Sequence, residues 1–89
     1  MVRRHVIVHG WVQGVFFRDT CRRKASAAGV AGWVRNTSEG TVEAVFEGSP
    51  SAVAQMCTWC RSGPSGATVE RVELGEEEPS GLSGFEIRG

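Results

Sequence analysis

Arg4-His5-Val6-Ile7-Val8-His9-Gly10, and after the loop Trp11 to Phe17 the stretch Arg18-Asp19-Thr20-Cys21-Arg22-Arg23-Lys24-Ala25-Ser26-Ala27-Ala28-Gly29, carry the change of period that decides the fold. In the first stretch Val6 and Val8 alternate with His5, Ile7 and His9, which reads as a strand with the valine pair facing a core. In the second, Phe17, Cys21, Ala25 and Ala28 recur at i, i+4, i+8 and i+11, one face of a helix. Gly29 follows where a helix commonly stops. A period of two gives way to one of 3.6 across a short glycine-containing loop, so the chain opens as a strand, a loop and a helix.

The pattern repeats outward from there. Val30 to Asn36 reads as a second strand, Thr37-Ser38-Glu39-Gly40 as a turn, and Thr41 to Glu47 as a third strand. In that strand Val42, Ala44 and Phe46 fall on one face and Glu43 and Glu47 on the other, so turn and spacing together predict a hairpin. Ser49-Pro50 is an N-cap followed by proline at the first helical position. The helix is expected to run to about Arg61, with Val53, Met56, Cys57 and Cys60 on one face, until Gly63-Pro64-Ser65-Gly66 breaks it. Thr68 to Leu74 reads as a fourth strand. Its apolar positions Val69 and Val72 are an odd number apart, which points to a bulge or a twist. Glu76 to Gly81 reads as a polar loop and Phe85-Glu86-Ile87-Arg88 as a short closing strand. The order β-α-β-β-α-β plus a terminal strand predicts a ferredoxin-like α+β sandwich, with two helices on one face of an antiparallel sheet. Residues 1–89 are expected to form a single domain.

Composition narrows the function. Ten basic residues, nine of them Arg, balance ten acidic ones. A neutral chain is a poor general nucleic-acid binder, because such affinity comes mainly from neutralising many phosphates. One local anion site remains open to it, and Arg suits that role because its planar fork grips two phosphate oxygens. No apolar run approaches the ~20 residues of a membrane span, and the N-terminus leads straight into a strand pattern without a signal-peptide core. Three Cys, an odd number without disulfide-scaffold density, predict a reduced, cytoplasmic protein. The small charged surface predicts a monomer.

Two segments carry candidate chemistry. Gly10-Trp11-Val12-Gln13-Gly14-Val15-Phe16-Phe17-Arg18 lies between a strand end and a helix start, where backbone N–H groups lack intrahelical partners and the helix dipole is positive. Such a loop suits an anion: Gly14 lets the backbone turn towards it, Gln13 to Arg18 contains no carboxylate, and Arg18 closes the loop with a full charge. The same residues also fit a plain βα turn with a surface Arg. The second segment is Gly32-Trp33-Val34-Arg35-Asn36-Thr37-Ser38-Glu39-Gly40. An amide at a strand end can hold a water through its oxygen while donating to a substrate oxygen; Asn36 equally fits the start of a hairpin turn.

Other chemistries find little support. Cys21, Cys57 and Cys60 lack an Arg six residues later, as a cysteine phosphatase would need. Asp19 is the only Asp, so clustered carboxylates for a metallophosphatase are missing. No nucleotide-binding G-x-x-x-x-G-K-[ST] loop is present. Cys57 and Cys60 have redox spacing but lie late in a helix, away from the N-terminal dipole that would favour a thiolate. His5 and His9 share a strand face and read as surface residues, and Arg22-Arg23-Lys24 as a solvated helix face. No cofactor or metal is expected.

Taken together, the two segments resemble the acylphosphatase family. The first matches G-x-V-Q-G-V-x-F-R at every fixed position. The second matches G-W-V-R-N-x-x-x-G-x-V followed by five residues and Gly, supplied by Gly32 through Val42 and Gly48. The resemblance extends over nearly the whole chain; Trp11 stands where a basic residue is common in the family. It implies hydrolysis of a carboxylic–phosphoric anhydride to a carboxylate and phosphate. It implies, too, that the backbone of Gln13, Gly14, Val15, Phe16, Phe17 and Arg18 cradles the phosphoryl oxygens, that Arg18 binds the phosphoryl group, and that Asn36 orients the attacking water with support from Thr37. The implied partner is a small acyl phosphate, with neither nucleic acid nor membrane. A non-enzymatic phosphate- or carbamoyl-phosphate-binding module is the alternative.

Overall fold

A computed structural model describes residues 1–89. Seven elements follow one another: β1 (Val2–Trp11), α1 (Phe17–Ala27), β2 (Ala31–Asn36), β3 (Val42–Gly48), α2 (Pro50–Cys60), β4 (Thr68–Glu77) and β5 (Phe85–Ile87). They build one five-stranded sheet in the order β4-β1-β3-β2-β5. The β1-β3, β1-β4 and β2-β3 pairs are antiparallel, so β1 and β2 run in the same direction with β3 between them. This is the split β-α-β arrangement of a ferredoxin-like sandwich. The closing strand departs from the antiparallel expectation, since β5 lies parallel to β2 at the sheet edge.

The core lies between the sheet and the two helices. Val6 and Val8 of β1, Val34 of β2, and Val42, Ala44 and Phe46 of β3 meet Phe17, Cys21 and Ala25 of α1 and Val53, Met56 and Cys60 of α2. Burying a Phe or Val side chain of this kind contributes about 1.5–3 kcal/mol. Phe17 packs on Trp59 at a ring-centroid distance of 4.9 Å, which joins the first turn of α1 to the last turn of α2. Ala28, expected on the buried face, is exposed: it is the cap residue, where the helix has already ended. Val30 N–H donates to Ala25 O and Gly29 N–H to Ser26 O, the paired bonds of a Schellman ending. At the other helix, Ser49 Oγ accepts from Ala52 N–H at 3.3 Å, ahead of Pro50.

The odd spacing of Val69 and Val72 is resolved by a bulge. His9 pairs with Arg71 but Gly10 with Val69, leaving Glu70 as the extra residue. Both valines thereby keep to the core side. Gly10 is required at this crossing: at φ 132°, an added Cβ would lie 2.1 Å from Thr68 O. Beyond the bulge β4 runs longer than expected, because Glu76 and Glu77 pair with Arg4 and Arg3 of β1 instead of entering the loop.

The face opposite the helices is not simply solvated. Val45 and Glu47 are both buried there. The Glu47 carboxylate accepts from Ser80 N–H at 3.0 Å, Gly81 N–H at 2.7 Å, Leu82 N–H at 2.9 Å and Arg3 Nη1 at 3.3 Å. Those bonds, led by Ser80, outweigh the cost of burial and hold the carboxyl below the usual carboxylate range. One side chain thus pins the connection between β4 and β5. Gly32 N–H then donates to Gly84 O and Arg88 N–H to Val34 O, both at 2.9 Å, seating β5 against β2.

Candidate active site

The loop after β1 enters α1 without a conventional cap. Phe16 occupies the N-cap position at φ 63° and ψ 24°, and no side chain caps the helix. It is the one non-glycine residue with positive φ. Gly14, at φ 74°, makes the other left-handed step. No acceptor within the chain takes the N–H groups of Gln13 through Asp19; the first to be satisfied is that of Thr20, on Phe16 O at 3.0 Å. A run of free donors at the positive end of an 11-residue helix is an anion-binding geometry.

Two side chains complete it. Arg18 takes part in no ion pair. The neighbouring Asp19 carboxylate is instead engaged by Arg22 at 3.3 Å and Arg23 at 3.1 Å, one turn further along α1. Asn36 ends β2, and its Oδ1 is buried without a hydrogen-bond partner, the only such side-chain atom in the chain. An unpaired buried acceptor is costly, which marks this amide oxygen as waiting for a donor.

These groups meet in one cleft of about 350 Å³, lined by Val12, Gly14, Phe16, Phe17, Arg18, Asp19, Asn36 and Ile87. Among the sequence-predicted site residues, Gly14, Phe16, Phe17, Arg18 and Asn36 are therefore brought together. Gln13, Val15 and Thr37 are not among the cleft's lining residues. The Gln13 amide donates to Thr37 O and Thr41 O, each at 2.9 Å, tying the loop to the β2–β3 turn. Thr37 Oγ1 lies 2.6 Å from Thr41 Oγ1 and accepts Glu39 N–H at 3.3 Å, which steadies the turn directly after Asn36. Val15 packs on the core margin.

Val12, Asp19 and Ile87 line the cleft without having been singled out from the sequence. Val12 follows the inward alternation of Val6 and Val8, so its position was readable. Ile87 was not, because its place depends on the parallel pairing of β5 with β2.

Elsewhere the structure offers less chemistry. Burial pushes the thiols of Cys21, Cys57 and Cys60 upward, leaving them protonated and poorly nucleophilic. His5 pairs with Glu43 at 2.6 Å and His9 with Glu73 at 2.5 Å. Nowhere do three His, Cys, Asp or Glu side chains converge as metal ligands would.

Comparison with known proteins shows the family and the fold. The family model for acylphosphatase matches residues 4–87. A curated acylphosphatase from Gloeobacter violaceus is 55% identical over 97% of this chain and 92% of its own length. One from Chloroflexus aurantiacus is 57% identical over 96% of this chain and 92% of its own. Among solved structures, that of acylphosphatase from Bacillus subtilis superposes with a TM-score of 0.96 at 31% identity, each chain covered completely. With the family model matching nearly the whole chain and relatives above 50% identity over almost their full length, the chain belongs to the acylphosphatase family.

Proposed function

We propose that the protein hydrolyses acyl phosphates in this cleft, with the phosphoryl group held by Arg18 and the free N–H groups of the Gln13–Arg18 loop and with the attacking water held by Asn36. One observation carries the reading: a guanidinium without a counter-ion, a row of unpaired amide donors and an unpaired amide oxygen line the same cavity. The donors match the oxygens of a phosphoryl group, and the lone acceptor matches a water proton.

The reaction needs little more. Phosphoryl transfer through a loose transition state rewards positioning and charge stabilisation. The leaving group is a carboxylate, stable without protonation, so no strong general acid is required. A phosphate oxygen of the substrate accepts the proton of the water as it attacks phosphorus in line. The amide of Asn36 fixes the direction of that water, and the cradle fixes the face of phosphorus it meets. No metal enters this scheme, because the helix N-terminus and Arg18 supply the positive field.

The partner is a small acyl phosphate. No helix is long and apolar enough to cross a membrane, and the balanced charge gives no broad field for nucleic acid. Three free cysteines, two of them fully buried, fit the reducing cytoplasm, and the paired surface charges fit a monomer.

Phosphate release from benzoyl or acetyl phosphate tests the reading when it is measured with EDTA present and repeated with Asn36→Ala. Activity that survives EDTA and falls about 100-fold or more in the variant is expected, as for loss of a preorganised polar group at the reacting centre. Phosphate binding without turnover would instead identify a phosphate- or carbamoyl-phosphate-binding module.

A further inference from the structure

We infer that Phe16 and Ile87 form an apolar subsite for the acyl half of the substrate, so that the enzyme favours aromatic and branched acyl phosphates over acetyl phosphate. The inference rests on the phosphoryl assignment made above.

The cleft holds more than a phosphoryl group requires. Its volume is about 350 Å³, and the polar groups Arg18 and Asn36 account for only part of its wall. Four of the lining residues are apolar. Val12 and Phe17 are buried in the core and offer the cavity almost no surface. The remaining two are open: Phe16 is 80% and Ile87 40% exposed. Exposed apolar surface in a concave site that already binds a polar head is the usual makeup of a small-molecule pocket.

Both residues have a fixed place in the fold, and Phe16 holds its place at some conformational cost. Phe16 takes a left-handed conformation that glycine would adopt far more easily. Backbone strain of this type gathers at ligand clamps, and here it presents a large ring beside the cradle. Ile87 is carried by the short strand β5. The buried Glu47 carboxylate anchors residues 80–82 ahead of that strand, and Arg88 N–H bonds to Val34 O at 2.9 Å beyond it. Ile87 pairs with Val34, two residues before Asn36. An acyl group is joined to phosphorus through one oxygen, so it must lie within a few bonds of Arg18 and Asn36. The apolar surface within that reach is the surface of Phe16 and Ile87.

The test compares kcat/KM for benzoyl phosphate and acetyl phosphate in the natural protein and in Phe16→Gly, Phe16→Tyr and Ile87→Ala. Glycine accepts the local backbone conformation, so Phe16→Gly removes the ring while leaving the loop free to keep its path. Expected is a fall in the benzoyl-to-acetyl ratio of roughly five- to tenfold in Phe16→Gly, the discrimination that contact with one ring face provides. A smaller fall in the same direction is expected in Ile87→Ala. Phe16→Tyr, which keeps the ring, should hold the ratio within about twofold of the natural protein. Damage to the cradle would lower both substrates together and leave the ratio where it was. An unchanged ratio in Phe16→Gly and Ile87→Ala, with both substrates still hydrolysed, overturns the acyl subsite and spares the assigned activity. Release of phosphate from neither substrate by the natural protein overturns the activity and the subsite with it.

Discussion

Replacing Gln13 with Ala removes the one side chain that ties the two halves of the site together, and its effect can be worked out bond by bond. The Gln13 amide donates to Thr37 O and Thr41 O at 2.9 Å each. Neither carbonyl is orphaned by the change, since Thr37 O also accepts Gly40 N–H at 3.3 Å and Thr41 O accepts Thr37 N–H at 3.0 Å. The turn should therefore survive, and the loss is limited to two ordinary hydrogen bonds, about 1–2 kcal/mol in stability. For a domain of this size that is a fall in Tm of roughly 5–15 °C. Activity should suffer more than stability. The loop carries Arg18 and the turn follows Asn36, so loosening the tether lets the phosphoryl group and the water drift apart. A misplacement of about 1 Å can cost on the order of 100-fold in rate.

Two measurements separate the effects: urea unfolding for the fold, and phosphate release from benzoyl phosphate for the site. Inorganic phosphate inhibition adds a third, because the cradle persists as a unit; its inhibition constant should change far less than kcat. Gln13→Glu sharpens the comparison. A carboxylate keeps the length of the side chain but sets acceptors against two carbonyl oxygens, so it should be more damaging than Ala at neutral pH and partly recover as pH falls. The reasoning is refuted if Gln13→Glu matches the natural protein in both Tm and kcat, for then the two bonds position nothing.

Arg18→Lys should lower kcat/KM for benzoyl phosphate by about 100-fold, since a point charge cannot reproduce the two-pronged contact; near-normal turnover would remove Arg18 from the phosphoryl site. Gly10→Ala should destabilise by at least ~2 kcal/mol in urea unfolding, because the new Cβ meets Thr68 O at 2.1 Å at a φ of 132°. Stability should also fall in acid. The Glu47 carboxyl is lowered chiefly by the Ser80 N–H and that of Glu43 chiefly by its hydrogen bond from His5. Both therefore contribute stability that is fully present above the unfolded carboxylate pKa of about 4.3 and is lost as pH falls through the lower folded value. Glu47→Gln should flatten that acid limb in urea midpoints taken between pH 2 and 5, and an unchanged slope would show that the residue is not among its sources.

What the sequence disclosed follows the range of the interactions involved. The strand period of Val6 and Val8, the helical face of Phe17, Cys21 and Ala25, and the Ser49-Pro50 helix entry are local matters, and each lies where its spacing placed it. The odd interval between Val69 and Val72 pointed to a bulge or a twist, and the structure shows the bulge, at Glu70. What escaped was long-range. Alternation assigned Glu47 to the face away from the helices, but nothing local said that residues 80–82 would fold back over its carboxylate. The same gap hid Ile87 from the site. Gln13 was read as part of a phosphate loop, and its backbone lies in the connection from β1 to α1; that its amide would be spent on a turn more than 20 residues away depends on β1 and β2 flanking β3, a fact of topology.

The cleft also explains how a neutral chain can present an unpaired cation to an anionic substrate. Asp19 follows Arg18 directly and could have neutralised it. Adjacent positions on a helix diverge by about 100°, whereas residues three and four apart lie on one flank. Asp19 is accordingly drawn to Arg22 and Arg23, and those two cations, which read as a solvated face, occupy the nearest carboxylate. The acid remains in the first turn, where the helix dipole stabilises it, and Arg18 is left without a counter-ion. Charge balance over the whole chain is thus compatible with imbalance at the site, because helical spacing decides which charges are neighbours. On this view Arg22 and Arg23 serve the site without touching it.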